Sequence, residues 1–177
     1  MESDTPVAIR YPRGGEDETI KAHFYGGQTP CDIALRCDFG GRERVDCVLI
    51  THGRIASEAI RAKRMLAKEG IALGLMLAER LKPYDELALR VAERLPFGCP
   101  IVTLEEEIRA GGMGMLLTDA LGRIGALDGR RISMMATDDR FGIQETNEPI
   151  YKTVGIDADS IADCVRDLCP ILQKGSF

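Results

Sequence analysis

The sequence between residues 45 and 172 alternates between short apolar runs and segments in which apolar residues recur three or four positions apart. Short runs rich in β-branched residues and closed by glycine or proline are typical of buried strands, whereas the wider spacing is typical of amphipathic helices. Repeated alternation of the two indicates βαβ units, a mostly parallel sheet and helices on both of its faces. The sequence therefore predicts an α/β fold, a three-layer α/β/α domain with a sheet of about five strands.

The bounds of the predicted elements follow from this pattern. The predicted strands are residues 45–51, 71–78, 100–104 and 131–136. The predicted helices are residues 55–69, 85–95, 115–124 and 157–172. Gly70 is well placed to end the first of these helices, and either Asp157 or Asp159 could cap the last one.

The N-terminal quarter of the chain lacks this alternation. Residues 7–10 form a short β-like run, which Pro12 and the Gly14–Gly15 pair should end. Residues 16–44 carry paired glycines and a proline and show no sustained period. Because a connection of this length usually joins domains or carries function, we interpret residues 16–44 as a linker with room for one hairpin.

Charge and hydropathy exclude several classes of partner. The formal net charge is −5, and the basic residues are scattered among acidic ones without a long basic run. Binding to a phosphate backbone needs a concentrated positive surface, so we expect no nucleic-acid partner. No apolar stretch is long enough to cross a bilayer, and the N-terminus does not resemble a signal peptide. We therefore expect no membrane partner and a cytoplasmic location.

The residues that most often ligate metals give no recognisable motif. None of the six cysteines forms a C-x-x-C pair, which favours free structural thiols. The only two histidines, His23 and His52, are not at ligand spacing from the cysteines or from each other, so the sequence predicts no metal site.

Two short segments allow both a functional and a structural interpretation. The glycines of residues 111–114 could form a phosphate loop at a helix start, but no G-x-G-x-x-G or G-K-[ST] pattern accompanies them, which favours a tight turn. The acidic run of residues 105–107 could supply acid–base chemistry or ligands for magnesium, because ligands favour the carboxyl end of strands in α/β sheets. A solvated acidic run is the simpler interpretation. His52 also follows a predicted strand and is interpreted as a turn residue.

Several motifs together resemble one family in their order along the chain. They are A-I-R-Y-P-R-G at residues 8–14, I-T-H-G at 50–53 with G-I at 70–71, L-K-P-Y-D at 81–85, V-T-L-E-E at 102–106 with G-G-M-G at 111–114, D-D-R-F at 138–141 and G-I-D-A-D-S-I at 155–161. The chain resembles the C-terminal domain of the transketolase superfamily, and within it most closely the 1-deoxy-D-xylulose-5-phosphate synthases. The resemblance implies that residues 1–15 end a pyrimidine-binding domain, residues 16–44 are a linker and residues 45–177 form the C-terminal domain.

The resemblance also implies a function. It implies a thiamine-diphosphate-dependent transferase that joins pyruvate to glyceraldehyde 3-phosphate with loss of carbon dioxide. The chain would contribute to dimer assembly and to the rim of the active site, and alone it would be inactive. The motif G-D-G followed by asparagine is absent, so thiamine diphosphate and Mg²⁺ would be bound outside this chain, by upstream domains on the same or a separate chain. A homodimer is implied for the full enzyme.

The resemblance assigns one substrate contact. Arg13, in the Y-P-R-G stretch, would hold the phosphate of the aldehyde acceptor, for which a guanidinium offers a planar fork of donors. Arg10 is a weaker candidate, and no catalytic, cofactor-binding or metal-binding residue is implied within the chain. From the residues alone, a solvated arginine at a strand end is the simpler interpretation of Arg13.

Some positions depart from the family pattern. Asp138 stands where the family has proline, Gln144 stands where many relatives have histidine, and residues 16–44 are longer and richer in cysteine than expected. These departures leave an alternative open, namely the C-terminal assembly module of a split transketolase or of the β-type subunit of a 2-oxoacid dehydrogenase.

Overall fold

A computed structural model describes residues 6–9, 17–26, 34–41, 44–139 and 147–169 of the chain. Within these ranges, the strands are β1 Leu35–Asp38, β2 Cys47–Thr51, β3 Leu73–Ala78, β4 Ile101–Ile108 and β5 Ile132–Thr137. The helices there are α1 Glu18–Phe24, α2 Ala56–Lys68, α3 Tyr84–Ala92, α4 Met113–Arg123, α5 Asn147–Val154 and α6 Ala158–Leu168. None of the helices in this part of the chain is both long and apolar enough to cross a membrane.

The strands form one five-stranded sheet in the order β1-β3-β2-β4-β5. The pairs β3–β2, β2–β4 and β4–β5 are parallel, and only β1 runs antiparallel to its neighbour. Helices α2 and α6 pack on one face of this sheet together with α1, while α3 and α4 pack on the other. The predicted α/β class and its three layers are therefore confirmed.

Strand β2 lies at the centre of the sheet and is buried along its whole length. Its alternate side chains enter the two hydrophobic cores, with Leu49 facing α2 and α6 and with Val48 and Ile50 facing α3 and α4. A strand covered on both faces needs apolar residues at every position, because neither face reaches water. This requirement explains why β2 appears in the sequence as a continuous apolar run.

The predicted helix ends agree with the structure where a cap defines them. Gly70 follows α2 with φ +81°, a conformation that glycine adopts without the penalty of a side chain. Asp157 is the cap of α6, because its carboxylate accepts a hydrogen bond from the backbone N–H of Ser160. Helix α5 is eight residues long, and the alternation did not predict it, because its sequence N-E-P-I-Y-K-T-V offers few apolar positions.

The N-terminal part of the chain differs from the sequence-based expectation in two places. Residues 7–9 form no strand, and Val7 and Ile9 are exposed by 59% and 80%, because none of the strands in the described part of the chain pairs with them. Residues 16–44 are more than a linker, since their described part contains α1 and β1. Strand β1 pairs with the outer edge of β3 and so covers backbone groups that would otherwise be open to another chain. The proposed domain limits remain predictions.

Asp38 at the end of β1 joins this edge to the rest of the fold. Its carboxylate contacts Nε2 of His23 in α1 at 2.7 Å and Nζ of Lys63 in α2 at 2.5 Å. Although burial raises the pKa of Asp38, hydrogen bonds from Lys63, the N–H of Gly40 and His23 outweigh it and hold that pKa below its usual value. One carboxylate thus connects α1, β1 and α2.

Replacing Asp38 by asparagine should loosen α1 and β1. We expect a loss of about 1–3 kcal/mol at pH 7, because the Lys63 ammonium loses a charged partner. Since the pKa is lowered in the folded state, this contribution is present above the unfolded value of about 3.9 and disappears as pH falls through the folded value. Hydrogen exchange of the β1 amides and thermal unfolding at pH 7 and pH 3 would measure both effects.

A matched control is Asp85→Asn. Asp85 also pairs with a cation, Arg123, but both side chains are largely exposed. Ion pairs of this kind contribute little to stability, so this variant should unfold like the wild type. Equal exchange rates in Asp38→Asn and Asp85→Asn would contradict the role given to Asp38.

Candidate functional site

Three side chains that ionise or ligate metals meet at the carboxyl end of the parallel strands. They are His52, which directly follows β2, and Glu105 and Glu107 in β4. Thr51 pairs with Leu104 in the β2–β4 register, so the next residues along each strand, His52 and Glu105, come to lie side by side. One nitrogen or oxygen of each of the three lies within 4.8 Å of the others. We call these three residues the His–Glu cluster.

Glu105 is the most buried member of the cluster, with 1% of its surface exposed. Its two carboxylate oxygens accept hydrogen bonds from the backbone N–H groups of Met113 at 2.5 Å and Gly114 at 2.8 Å. These are the first N–H groups of α4, which have no acceptor within the helix. Burial raises the pKa of Glu105 and the negative charge of Glu107 adds to the rise, whereas the two N–H groups and His52 oppose it.

The glycines around α4 make room for this carboxylate. A Cβ at Gly112 would overlap the Glu105 carboxylate and lie 2.7 Å from the Ile108 carbonyl oxygen. A Cβ at Gly114 would collide with the Thr103 hydroxyl and come within 3.0 Å of Glu105 Oε1. The structure thus confirms the tight-turn interpretation of residues 111–114. The N–H groups that a phosphate loop would offer are already used by Glu105.

The acidic run is part of β4, which corrects the predicted end of that strand at residue 104. Because successive side chains of a strand point to opposite faces, Glu105 and Glu107 share the α4 face, and Glu106 points to the other. There Glu106 accepts a hydrogen bond from the hydroxyl of Tyr151 in α5. Burial and this bond raise the pKa of Tyr151 above its ordinary range. The glutamates of the acidic run therefore mostly contact other groups of the protein instead of facing solvent.

His52 faces Glu107 within the cluster. Nε2 of His52 lies 3.1 Å from Oε2 of Glu107, and their side chains are exposed by 13% and 25%. These two residues are more than fifty positions apart in the sequence, so their spacing did not predict a shared site. The signal that could have found them is positional, since both come at the carboxyl ends of neighbouring strands in a βαβ arrangement.

A second buried glutamate, Glu58 in α2, has a structural role. Its carboxylate accepts a hydrogen bond from the N–H of Ala158 at 2.9 Å and another from Arg61 at 2.7 Å. The first of these bonds satisfies the N-terminus of α6 across the α2–α6 contact. Glu58 therefore fixes the packing of two helices.

An open cleft of about 450 Å³ lies at the opposite, amino end of the strands. Residues from the segments that precede β2, β4 and β5 line it, among them Asp46, Cys99 and Arg131. Burial raises the pKa of Cys99 to about 11, which makes this thiol a poor nucleophile. Cys169 also lines the cleft, and a hydrogen bond with Cys47 lowers its pKa although burial opposes this effect.

Free thiols are confirmed for the described cysteines Cys37, Cys47, Cys99, Cys164 and Cys169. The two candidate substrate contacts, Arg13 and Arg10, lie outside the described residues, as do Gly14, Gly15 and Gln144. The roles of these arginines therefore remain predictions. Asp138 directly follows β5 at the carboxyl end of the sheet.

Comparison with known proteins identifies the family to which this fold and these motifs belong. The family model of the transketolase C-terminal domain matches residues 41–161. The chain belongs to this family. Among curated relatives, it is 32% identical over 170 residues to the 1-deoxy-D-xylulose-5-phosphate synthase of Aquifex aeolicus, covering 93% of this chain and 25% of the relative. It is 34% identical over 168 residues to the enzyme of the same name from Syntrophotalea carbinolica, covering 93% of this chain and 24% of the relative.

The chain thus spans about a quarter of the length of these curated relatives. Among solved structures, it is similar to a split-gene transketolase described as an inactive β4 tetramer, with a TM-score of 0.59 and 25% identity. That match covers 73% of this chain and 41% of the other. The comparisons confirm the family resemblance found in the motifs and the fold that follows from it.

Alanine at Gly114 should destabilise the fold. A new Cβ would press on Thr103 and Glu105, both buried, so we expect a loss of about 1–3 kcal/mol from overpacking. Gly122 in the same helix is the matched control, since a Cβ there would meet only Leu127 at an ordinary 3.7 Å. Gly122→Ala should be stabilising by up to about 1 kcal/mol because alanine favours helix. Urea unfolding of both variants would measure the difference, and equal effects would contradict the packing described for Gly114.

Proposed function

We propose that this chain is the C-terminal domain of a thiamine-diphosphate-dependent transferase that forms 1-deoxy-D-xylulose 5-phosphate from pyruvate and glyceraldehyde 3-phosphate with release of carbon dioxide. The observation that carries this proposal is the identity of 32% and 34% to two synthases of that name across 93% of the chain. The chain corresponds to about a quarter of those enzymes. We therefore propose that the chemical steps of the reaction take place in domains outside it.

Thiamine diphosphate does not fit the residues described here. The cofactor's diphosphate needs unsatisfied donors and a metal, whereas the N–H groups that begin α4 are filled by Glu105. The sequence also lacks the G-D-G motif followed by asparagine. We therefore propose that thiamine diphosphate and Mg²⁺ are held by other domains, on the same or a separate chain. There the cofactor supplies the electron sink for the carbanion.

The proposed role of this domain is assembly and completion of the active-site rim. Large apolar side chains are exposed on its surface, including Leu89 in α3, Met115 in α4 and Phe97 before β4. Exposed apolar side chains of this size are suited to contacts with further domains or subunits. We propose that the full enzyme is a homodimer and that the isolated chain has no turnover.

Arg13 is the proposed contact to the acceptor phosphate. The Y-P-R-G stretch at residues 11–14 carries this assignment through the family resemblance. A guanidinium can hold two phosphate oxygens at once, and the glycines after it let the backbone approach the ligand. Arg10 is the weaker candidate in the same segment.

The second candidate function is that of an assembly module without a substrate contact. It is supported by the similarity to the split-gene transketolase, whose structure is described as an inactive β4 tetramer. In that case the domain would associate with itself or with a thiamine-binding partner chain, and Arg13 would have no effect on turnover. The β-type subunit of a 2-oxoacid dehydrogenase is a further form of the same alternative.

A chimera separates the two functions. We would replace the matching quarter of the Aquifex aeolicus synthase with this chain and follow carbon dioxide release from pyruvate with thiamine diphosphate, Mg²⁺ and glyceraldehyde 3-phosphate. We expect aldehyde-dependent turnover. Arg13→Ala should raise KM for glyceraldehyde 3-phosphate by about 10-fold or more with little change in KM for pyruvate, because only the acceptor carries a phosphate. Arg13→Lys should recover part of this loss.

Arg123→Ala serves as the control, because the ion pairs that this exposed arginine forms with the described residues Asp85 and Asp119 lie on the surface. It should leave both KM values unchanged. A chimera that assembles and turns over but is indifferent to Arg13→Ala would favour the assembly module. A folded chimera without any turnover on this substrate pair would reject the synthase assignment.

A further inference from the structure

We propose that His52, Glu105 and Glu107 form a binding site for one divalent transition-metal cation, separate from the metal of the thiamine cofactor. The sequence alone predicts no metal site, because the three residues are not at a recognisable ligand spacing. The fold brings them together at the carboxyl ends of β2 and β4, with a ligand atom of each within 4.8 Å of the others. Two ligands about 2.1 Å from one cation are up to about 4.2 Å apart, so small side-chain rotations would complete the site.

Some buried polar atoms in and beside the cluster have no hydrogen-bond partner among the described residues. Nε2 of His52 is buried and lacks a hydrogen-bond partner among the described residues, although Glu107 Oε2 lies 3.1 Å away. The distance suits an ion pair, but the alignment is not that of a hydrogen bond. Thr103, on the same face of β4 as Glu105, is fully buried, and its hydroxyl also lacks a hydrogen-bond partner there. Buried polar atoms without partners are costly, and a bound ion is one of the few ways to satisfy them.

Electrostatics favours a cation at this position. Burial and the negative charge of Glu107 raise the pKa of Glu105, whereas His52 opposes this rise. A divalent cation would neutralise both carboxylates at once. The similar contact between His23 and Asp38 includes a cation, since Lys63 Nζ lies 2.5 Å from the Asp38 carboxylate.

The surroundings of Glu105 resemble those of a metal ligand. The N–H groups of Met113 and Gly114 fix the orientation of its carboxylate and leave each oxygen a second lone pair. Carboxylates that bind metals are usually held in this way by further hydrogen bonds. The N-terminal end of α4 alone would attract an anion, but the carboxylate of Glu105 already fills that place.

The ligand set points to the class of cation. One imidazole nitrogen and two carboxylate oxygens suit Mn²⁺, Fe²⁺, Co²⁺ or Zn²⁺ better than Ca²⁺ or Mg²⁺, which prefer oxygen ligands alone. Three protein ligands leave at least one position for water or for a ligand from another domain. The site also lies at the end of the sheet where α/β domains usually bind ligands.

Mn²⁺ is the best probe, because the chain has five described free thiols that would compete for Zn²⁺ or Co²⁺. We would titrate the metal-free 177-residue chain with Mn²⁺ and measure the free ion by electron paramagnetic resonance. We expect one Mn²⁺ per chain, bound at micromolar concentration. His52→Ala and Glu107→Gln should each weaken binding by about 10-fold or more, since each removes one ligand.

His23→Ala is the matched control, as it removes the other histidine–carboxylate contact and should leave Mn²⁺ affinity unchanged. Circular dichroism would establish that each variant is folded. Should His52→Ala unfold, Glu107→Gln decides the question, because it keeps the shape of a partly exposed side chain. Absence of stoichiometric binding, or equal affinity in the wild type and Glu107→Gln, would overturn the proposal. Neither result depends on transferase turnover, so this test is independent of the proposed function.

Discussion

The parallel pairing of β2 with β3 and β4 is the constraint on which the rest of the structure depends. Every side chain of β2 is buried, so the strand can exist only with a neighbour on each edge and helices on each face. The same pairing aligns Thr51 with Leu104 and so places His52 beside Glu105. The two hydrophobic cores and the His–Glu cluster are therefore consequences of one register. A shift by a single residue would turn the β2 side chains to the wrong faces and separate the cluster.

The acidic run in β4 shows how a strand can continue through charged residues. Three consecutive glutamates are unfavourable in a sheet unless each carboxylate is stabilised. The twofold alternation sends Glu105 to the start of α4 and Glu106 to the hydroxyl of Tyr151, while Glu107 lies against His52. Gly112 and Gly114 are small because Glu105 needs that space. Strand end, helix start and glycine turn thus form one local unit rather than three separate features.

Sequence patterns predicted the elements whose burial is complete, and they missed those whose stability comes from distant contacts. The strands β2 and β3 could be predicted from their apolar runs, because burial on both faces of the sheet requires an apolar residue at nearly every position. Strand β1, with the sequence L-R-C-D, has no such run, and it forms because the edge of β3 and the contact of Asp38 with Lys63 stabilise it. The same limit applies to the site. His52 and Glu107 are close only through the β2–β4 register, which spacing along the chain does not reveal. The role of Arg13 came from family resemblance and remains a prediction.

The proposed cation would act on the fold as well as occupy a site. Glu105 is shared between the His–Glu cluster and the N-terminus of α4, so a cation there would bind to the carboxylate that positions this helix. A ligand that binds the folded chain and not the unfolded one adds to stability in proportion to the logarithm of its concentration over Kd. Helix α4 also packs against α3, and both carry exposed apolar side chains, Met115 and Leu89. A metal at the carboxyl ends of β2 and β4 would thereby stabilise the layer through which we propose that the domain joins the rest of its enzyme.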